Sequence, residues 1–157
     1  MKNIRTTMLC VVFALSATVT YSQEQKIPLN EPDNNRPRLF TNLPDKIPVP
    51  VSNIDNMLSA PVGKNSQFRL SDDNTFQFAG EVVSTASKYN NTIQSVVIRS
   101  DAFNGARLTV SKITNTDGSI RYTGRIISFK HGDLYELESQ DGQLVLVKKN
   151  YYELVNE

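Results

Sequence analysis

The chain has 157 residues, with 17 Lys and Arg against 16 Asp and Glu and a formal net charge of +1. A balance so close to zero, with no run of Lys or Arg, excludes a general nucleic-acid binder, whose grip on phosphates comes from clustered cations. One cysteine and one histidine exclude a disulfide framework and a dedicated zinc site.

At the N-terminus, Lys2 and Arg5 precede an apolar run from Met8 to Val19, and the small residues Thr20 and Ser22 flank Tyr21. This is the pattern of a secretory signal peptide over residues 1–22, cut near Ser22–Gln23. The run is shorter than the about 20 apolar residues a spanning helix needs, and Ser16 and Thr18 dilute it. Cys10 lies inside the run after Leu9, where a lipid-attachment cysteine would instead end it. Cleavage removes Cys10, Lys2 and Arg5, so 17 basic residues become 15 against 16 acidic. The expected product is periplasmic or extracellular, free of cysteine, without a membrane span, and held together by packing alone.

Residues 23–51 carry prolines at 28, 32, 37, 44, 48 and 50. Proline fixes φ and removes a backbone donor, so this stretch reads as an extended, polyproline-like arm. Its first part, 23–38, is polar and reads as disordered. Leu39, Phe40, Leu43, Ile47, Val49 and Val51 then supply apolar side chains that a spacer would not need. Two destinations fit them: the chain's own domain, or a partner reached by strand addition or groove binding. These six are the expected partner-binding residues.

A connector, 52–65, begins with a short helix from Ser52 to Leu58, with Ser52 as N-cap and Asp55 three residues on. From about Ser66 the period changes to two. Phe68 and Leu70, then Phe76, Phe78, Gly80 and Val82, alternate with polar or small residues around an Asp72-Asp73-Asn74 turn. Further strands are expected at 92–100, 106–114, 120–130, 134–139 and 143–149. Between them lie Asn90-Asn91, Asn104-Gly105, Asp117-Gly118, His131-Gly132-Asp133 and Asp141-Gly142, residues suited to turns with positive φ. Seven strands joined mostly by tight turns predict a mainly β domain over 66–157, an antiparallel meander closing as a barrel or two-layer sheet. Ser95 and Ser111 fall out of phase and mark expected bulges. Tyr151, Leu154 and Val155 are spaced for a short C-terminal helix. The expected inward positions are Phe68, Leu70, Phe76, Phe78, Val82, Val97, Leu108, Val110, Ile126, Leu137, Leu144 and Leu146.

Few groups offer chemistry. Nucleophilic catalysis of the serine or cysteine type needs a base held by a third group, and His131 reads as a solvent-facing turn residue. Glu136 and Glu138 share a strand face about 7 Å apart, a separation near that of a glycosidase pair. With Lys148 and Lys149 on the next strand, they read more simply as a polar outer face with cross-strand ion pairs. Asp72, Asp73 and Asn74 could offer oxygen ligands to calcium, but fit a polar hairpin tip. Glycan binding usually uses exposed aromatics, and Tyr89, Tyr151 and Tyr152 are the candidates. Asn90-Asn91-Thr92 is a glycosylation sequon. No phosphate-binding glycine loop exists, and neither a cofactor nor a metal is implied.

The order Phe78-Ala79-Gly80-Glu81-Val82, the strand around Val96 to Arg99, Gly124-Arg125-Ile126-Ile127 and Tyr135-Glu136-Leu137-Glu138 resembles the β-rich propeptide region of secreted adamalysin-type zinc metalloproteases. The sequence departs from that family in having no cysteine after cleavage to occupy a catalytic zinc, and no His-Glu-x-x-His motif. The resemblance implies a free-standing propeptide-like fold that binds a protease or chaperones a secreted client, and it assigns no residue a role. Taken together, these features predict a non-enzymatic binding or structural module of the cell envelope with a secreted or envelope protein as partner. The alternatives are a protease inhibitor or propeptide-like chaperone, and a glycan-binding domain.

Overall fold

Alternation with a period of two gives each strand one apolar face, and a sheet built from such strands must find something to lay that face against. The computed structural model describes residues 35–72 and 76–154. The expected signal peptide, 1–22, and residues 23–34 of the arm lie outside the described residues, as do Asp73 and Asn74 of the expected hairpin tip and the last three residues of the expected C-terminal helix. Residues 35–38, expected to be disordered, are described, with Arg36 donating to the Phe129 carbonyl at 3.0 Å. The described strands are β1 (Lys46–Pro48), β2 (Asn65–Arg69), β3 (Gln77–Lys88), β4 (Ile93–Ser100), β5 (Arg107–Thr114), β6 (Ile120–Ile127), β7 (Asp133–Gln140) and β8 (Gln143–Asn150). One helix, α1 (Val51–Leu58), lies between β1 and β2, and a 3-10 turn, Tyr151–Leu154, follows β8.

All eight strands join one antiparallel sheet in the order β1-β8-β7-β6-β5-β4-β3-β2, curled into a half-barrel. The expected count was seven, because β1 falls within the proline-rich arm. Pro48 is tolerated there because β1 is an edge strand, paired on one side only, to β8. The sheet also fails to close: β1 and β2 are its two edges and do not pair. The chain therefore has to cross from one edge to the other, and α1 makes the crossing over the concave face.

That crossing fills the core. Ile54 and Met57, three apart on α1, are buried against the inner face, and Lys112 on β5 reaches Asp55 at 2.9 Å. The first turn differs from expectation: Pro50, not Ser52, occupies the N-cap, and no side chain caps the helix. Eleven of the twelve expected inward residues are buried, but Val97 is not; Val96 and Ile98 take the inner face of β4. The run Val96-Val97-Ile98 is apolar on both faces, so periodicity could not choose between them. The expected bulges at Ser95 and Ser111 are likewise absent, since those two residues stand opposite each other in register. The irregularity lies on β3, between Val82 and Ser84.

The turns follow the chemistry of their residues. Asn104-Gly105 and Asp141-Gly142 both have positive φ at each position, the two-residue conformation that matches strand twist. Gly80 is required for another reason: a Cβ there would stand 2.2 Å from the Arg99 carbonyl oxygen of the neighbouring strand.

The second half of the arm belongs to the domain. Asp133, buried at the start of β7, accepts hydrogen bonds from the backbone N–H groups of Leu39 at 2.6 Å and Phe40 at 2.8 Å. Tyr135 donates to the Pro44 carbonyl and Lys148 to that of Leu43, both at 2.5 Å. Burial together with the Asp45 and Asp133 carboxylates pushes the Tyr135 phenol above its ordinary range. Of the six expected partner-binding residues, Phe40, Ile47 and Val49 lie in the core, with Phe40 against Tyr135 and Phe103. Leu39 and Leu43 pack on its margin, and Val51, 45% exposed, opens α1. His131 corrects another expectation: it is buried, with Nδ1 2.7 Å from the Ser128 hydroxyl.

Truncating Phe40 to alanine should therefore cost about 3–5 kcal/mol, as for other buried aromatics. Val51→Ala should stay within about 0.5 kcal/mol. Urea denaturation of both variants checks this, and a small loss for both would show that the arm is not part of the core.

A candidate binding cleft between two strands

The outer face of the sheet carries most of its polar side chains, with apolar exceptions such as Val97, Ile127 and Val147, and on β5 to β8 it holds a break. The β5–β6 ladder runs unbroken from Arg107↔Ile127 to Thr114↔Ile120. The β7–β8 ladder runs from Asp133↔Asn150 to Gln140↔Gln143. Between them, β6 and β7 pair only from Ile127↔Leu134 to Gly124↔Leu137. Beyond that point residues 120–123 and 138–140 diverge. In antiparallel strands the backbone groups point alternately to one neighbour and the other. Alternate residues of both diverging stretches thus direct N–H and C=O groups into the gap, where no ladder partner meets them.

The gap is a cleft of about 910 Å³. Arg121, Thr123 and Arg125 of β6 form one wall, with Thr109 and Ser111 of β5 behind them; Glu136, Glu138 and Ser139 of β7 and Lys149 of β8 form the other. Tyr122, Gly124, Leu137 and Leu144, residues of the inner face, reach the cleft through the opening. Gly124 stands at the fork, where a Cβ would meet the Thr109 carbonyl oxygen at 2.7 Å. Any side chain there would push β6 off β5.

Charge is distributed unequally between the walls. Lys149 Nζ lies 2.8 Å from Glu136 Oε2 and 2.6 Å from Glu138 Oε1, and Gln140 donates to the other Glu138 oxygen at 3.0 Å. The bond from Lys149, helped by that from Gln140, holds the Glu138 carboxyl below its ordinary range. Glu136 and then Glu138 push the Lys149 ammonium above its own. Lys148, expected to share this face, points inward instead and pairs with Asp45 at 3.3 Å. At the closed end of the cleft, Arg125 stands in register with Glu136 within the ladder, yet Glu136 is engaged by Lys149. Among the described residues neither Arg121 nor Arg125 has an ion pair or a side-chain hydrogen bond.

The Glu138 carboxyl does not fit the acid of a glycosidase pair. A general acid in a glycosidase pair needs a raised pKa, and Glu138 is shifted the other way. The other sequence candidates lie outside the cleft lining. Tyr89 is 76% exposed beyond the end of β3. Tyr151 lies under the Arg36 guanidinium at 5.1 Å and meets Tyr152 edge to face, so the two rings present no common flat platform. Asp72 is exposed beyond β2. Among the described residues no group of three or more His, Cys, Asp or Glu could hold a metal ion, and no helix is long and apolar enough to cross a membrane. The arginine wall was not foreseen from sequence; the signal it offered was Arg121 and Arg125 on one face of a strand, spaced by four. No known protein family, characterised protein or solved structure matches the chain.

The Glu138–Lys149 pair sets a pH dependence. A depressed carboxyl adds stability above its unfolded pKa, near about 4.3, and that stability disappears as pH falls through the lower folded value. At this partial exposure it amounts to at most about 1 kcal/mol. Denaturation midpoints of the wild type should exceed those of Glu138→Gln at pH 7 and converge with them at about pH 2–3. A gap that persists unchanged in acid would mean that the substitution acts through shape and not charge.

Proposed function

We propose that this chain is an exported, non-enzymatic binding module of the cell envelope that works through contact with another protein, and that the β6–β7 cleft is its contact site. The observation that carries this reading is the fork in the sheet. A gap flanked by unladdered backbone and two unpaired arginines is costly for a free domain, because sheet edges are otherwise paired, covered or blunted. The cationic, hydrophobic and early small-residue pattern of residues 1–22 supports export. The carboxylates at the cleft are committed to Lys149, which supports a binding role over an acid–base one.

A photocrosslinking side chain introduced at Thr123 of the whole chain, in its native envelope, tests this. A discrete protein adduct is expected from Thr123, lost in the Arg121→Ala/Arg125→Ala background, with none from the same probe at Tyr89. No adduct at Thr123, or one indifferent to the arginines, would contradict the reading.

A further inference from the structure

We infer that the β6–β7 cleft takes an extended acidic peptide as an inserted strand, with Arg121 and Arg125 reading carboxylates on its outer face. This rests on the protein-contact reading above and names the chemistry of the partner.

Three features of the cleft converge on that ligand. Its two long sides are strand backbones whose facing N–H and C=O groups end their ladder at Gly124↔Leu137, and an added strand supplies partners to both, as in peptide recognition by strand addition. Its size is right. A strand occupies roughly 160 Å³ per residue from its rise, its lateral spacing and the thickness of a sheet, so about 910 Å³ admits about five residues.

The third feature is polarity. The cleft is cationic along its β6 rim, at Arg121 and Arg125, and apolar on its floor, where Gly124, Leu137 and Leu144 show through from the inner face. A strand presents alternate residues to opposite faces, so the matching peptide alternates acidic and apolar residues. Glu136 and Glu138 do not oppose an incoming carboxylate with their full charge, because Lys149 bridges both. Arg121 and Arg125 keep their donors free for bidentate pairing with carboxylates. Four residues separate them, about 13 Å along the strand. Arg121 stands in the open stretch and Arg125 one pair inside the ladder, so acidic side chains two apart on the inserted strand, opposite Arg121 and Thr123, meet Arg121 directly and Arg125 on the diagonal.

The test uses three capped heptapeptides and the whole chain. One alternates valine and glutamate, the second alternates valine and lysine, and the third is the glutamate peptide with alternate backbone amides methylated. Titration followed by amide chemical shifts should show the glutamate peptide binding, with shifts confined to residues 120–123 and 138–140 and their neighbours. The lysine and methylated peptides should bind at least about tenfold more weakly, and so should the glutamate peptide to Arg121→Ala/Arg125→Ala, a variant of two exposed side chains that leaves the core intact. Equal binding of the glutamate and lysine peptides, equal binding of the methylated one, shifts elsewhere on the sheet, or closure of the cleft by a second copy of the chain would overturn the inference. If no peptide binds while the Thr123 crosslink still depends on the arginines, the acidic strand is refuted and the protein-contact reading stands. Loss of both refutes both.

Discussion

A single sheet with one apolar face has nothing but itself and its connections to bury that face against, and this constraint governs the molecule. Eight antiparallel strands curl so that their inner residues converge. The curl leaves a concave volume that the sheet alone does not fill. Two pieces of chain outside the meander fill it: α1, through Ile54 and Met57, and the segment from Phe40 to Val49. Asp133 fixes the second piece, because a buried carboxylate must find donors, and the backbone of Leu39 and Phe40 supplies them. The aromatic cluster of Phe40, Phe76, Phe103 and Tyr135 then closes around that attachment.

The same curl accounts for the fork. Strand β6 stays with β5 along its whole length and β7 with β8, so the sheet consists of two ribbons joined over the short stretch that ends at Gly124 and Leu137. Gly124 lets β6 approach the β5 backbone more closely than any side chain would allow. Beyond it the ribbons part. The cleft is thus a product of how the sheet bends, while its chemistry comes from side chains that happen to face outward there. On one ribbon Lys149 bridges both carboxylates and leaves a net charge of −1; on the other the two arginines have no ion-pair partner among the described residues.

Much of the fold was legible in the sequence because it is local. Strand alternation, Asn-Gly and Asp-Gly turns and the short helix each rest on a few adjacent residues, and most fall within a residue or two of their expected places. Strand β3, however, runs on to Lys88 past the alternation that stops at Val82, and the strand expected to reach 130 ends at Ile127. What was not legible depends on distant chain. The strand β1 is hidden among Pro44, Pro48 and Pro50, and forms only because β8 offers an edge. His131 sits in a polar turn by sequence, and is buried because Ser128 turns back to it and the arm packs alongside, Gly132 donating to Pro37. The choice between Val96 and Val97 was set by pairing with β5. At the cleft, the Glu136, Glu138 and Lys149 cluster was readable from facing strands. The arginines were not, because their freedom depends on where one ladder stops.

Amide hydrogen exchange along β6 and β7 of the free protein measures that stopping point directly. With the fork as described, alternate amides within 120–123 and 138–140, those aimed at the gap, exchange far faster than the amides that join the strands between Gly124 and Ile127 and between Leu134 and Leu137. Uniform protection along both strands would mean that the ladder continues, and that there is no cleft for a partner to enter.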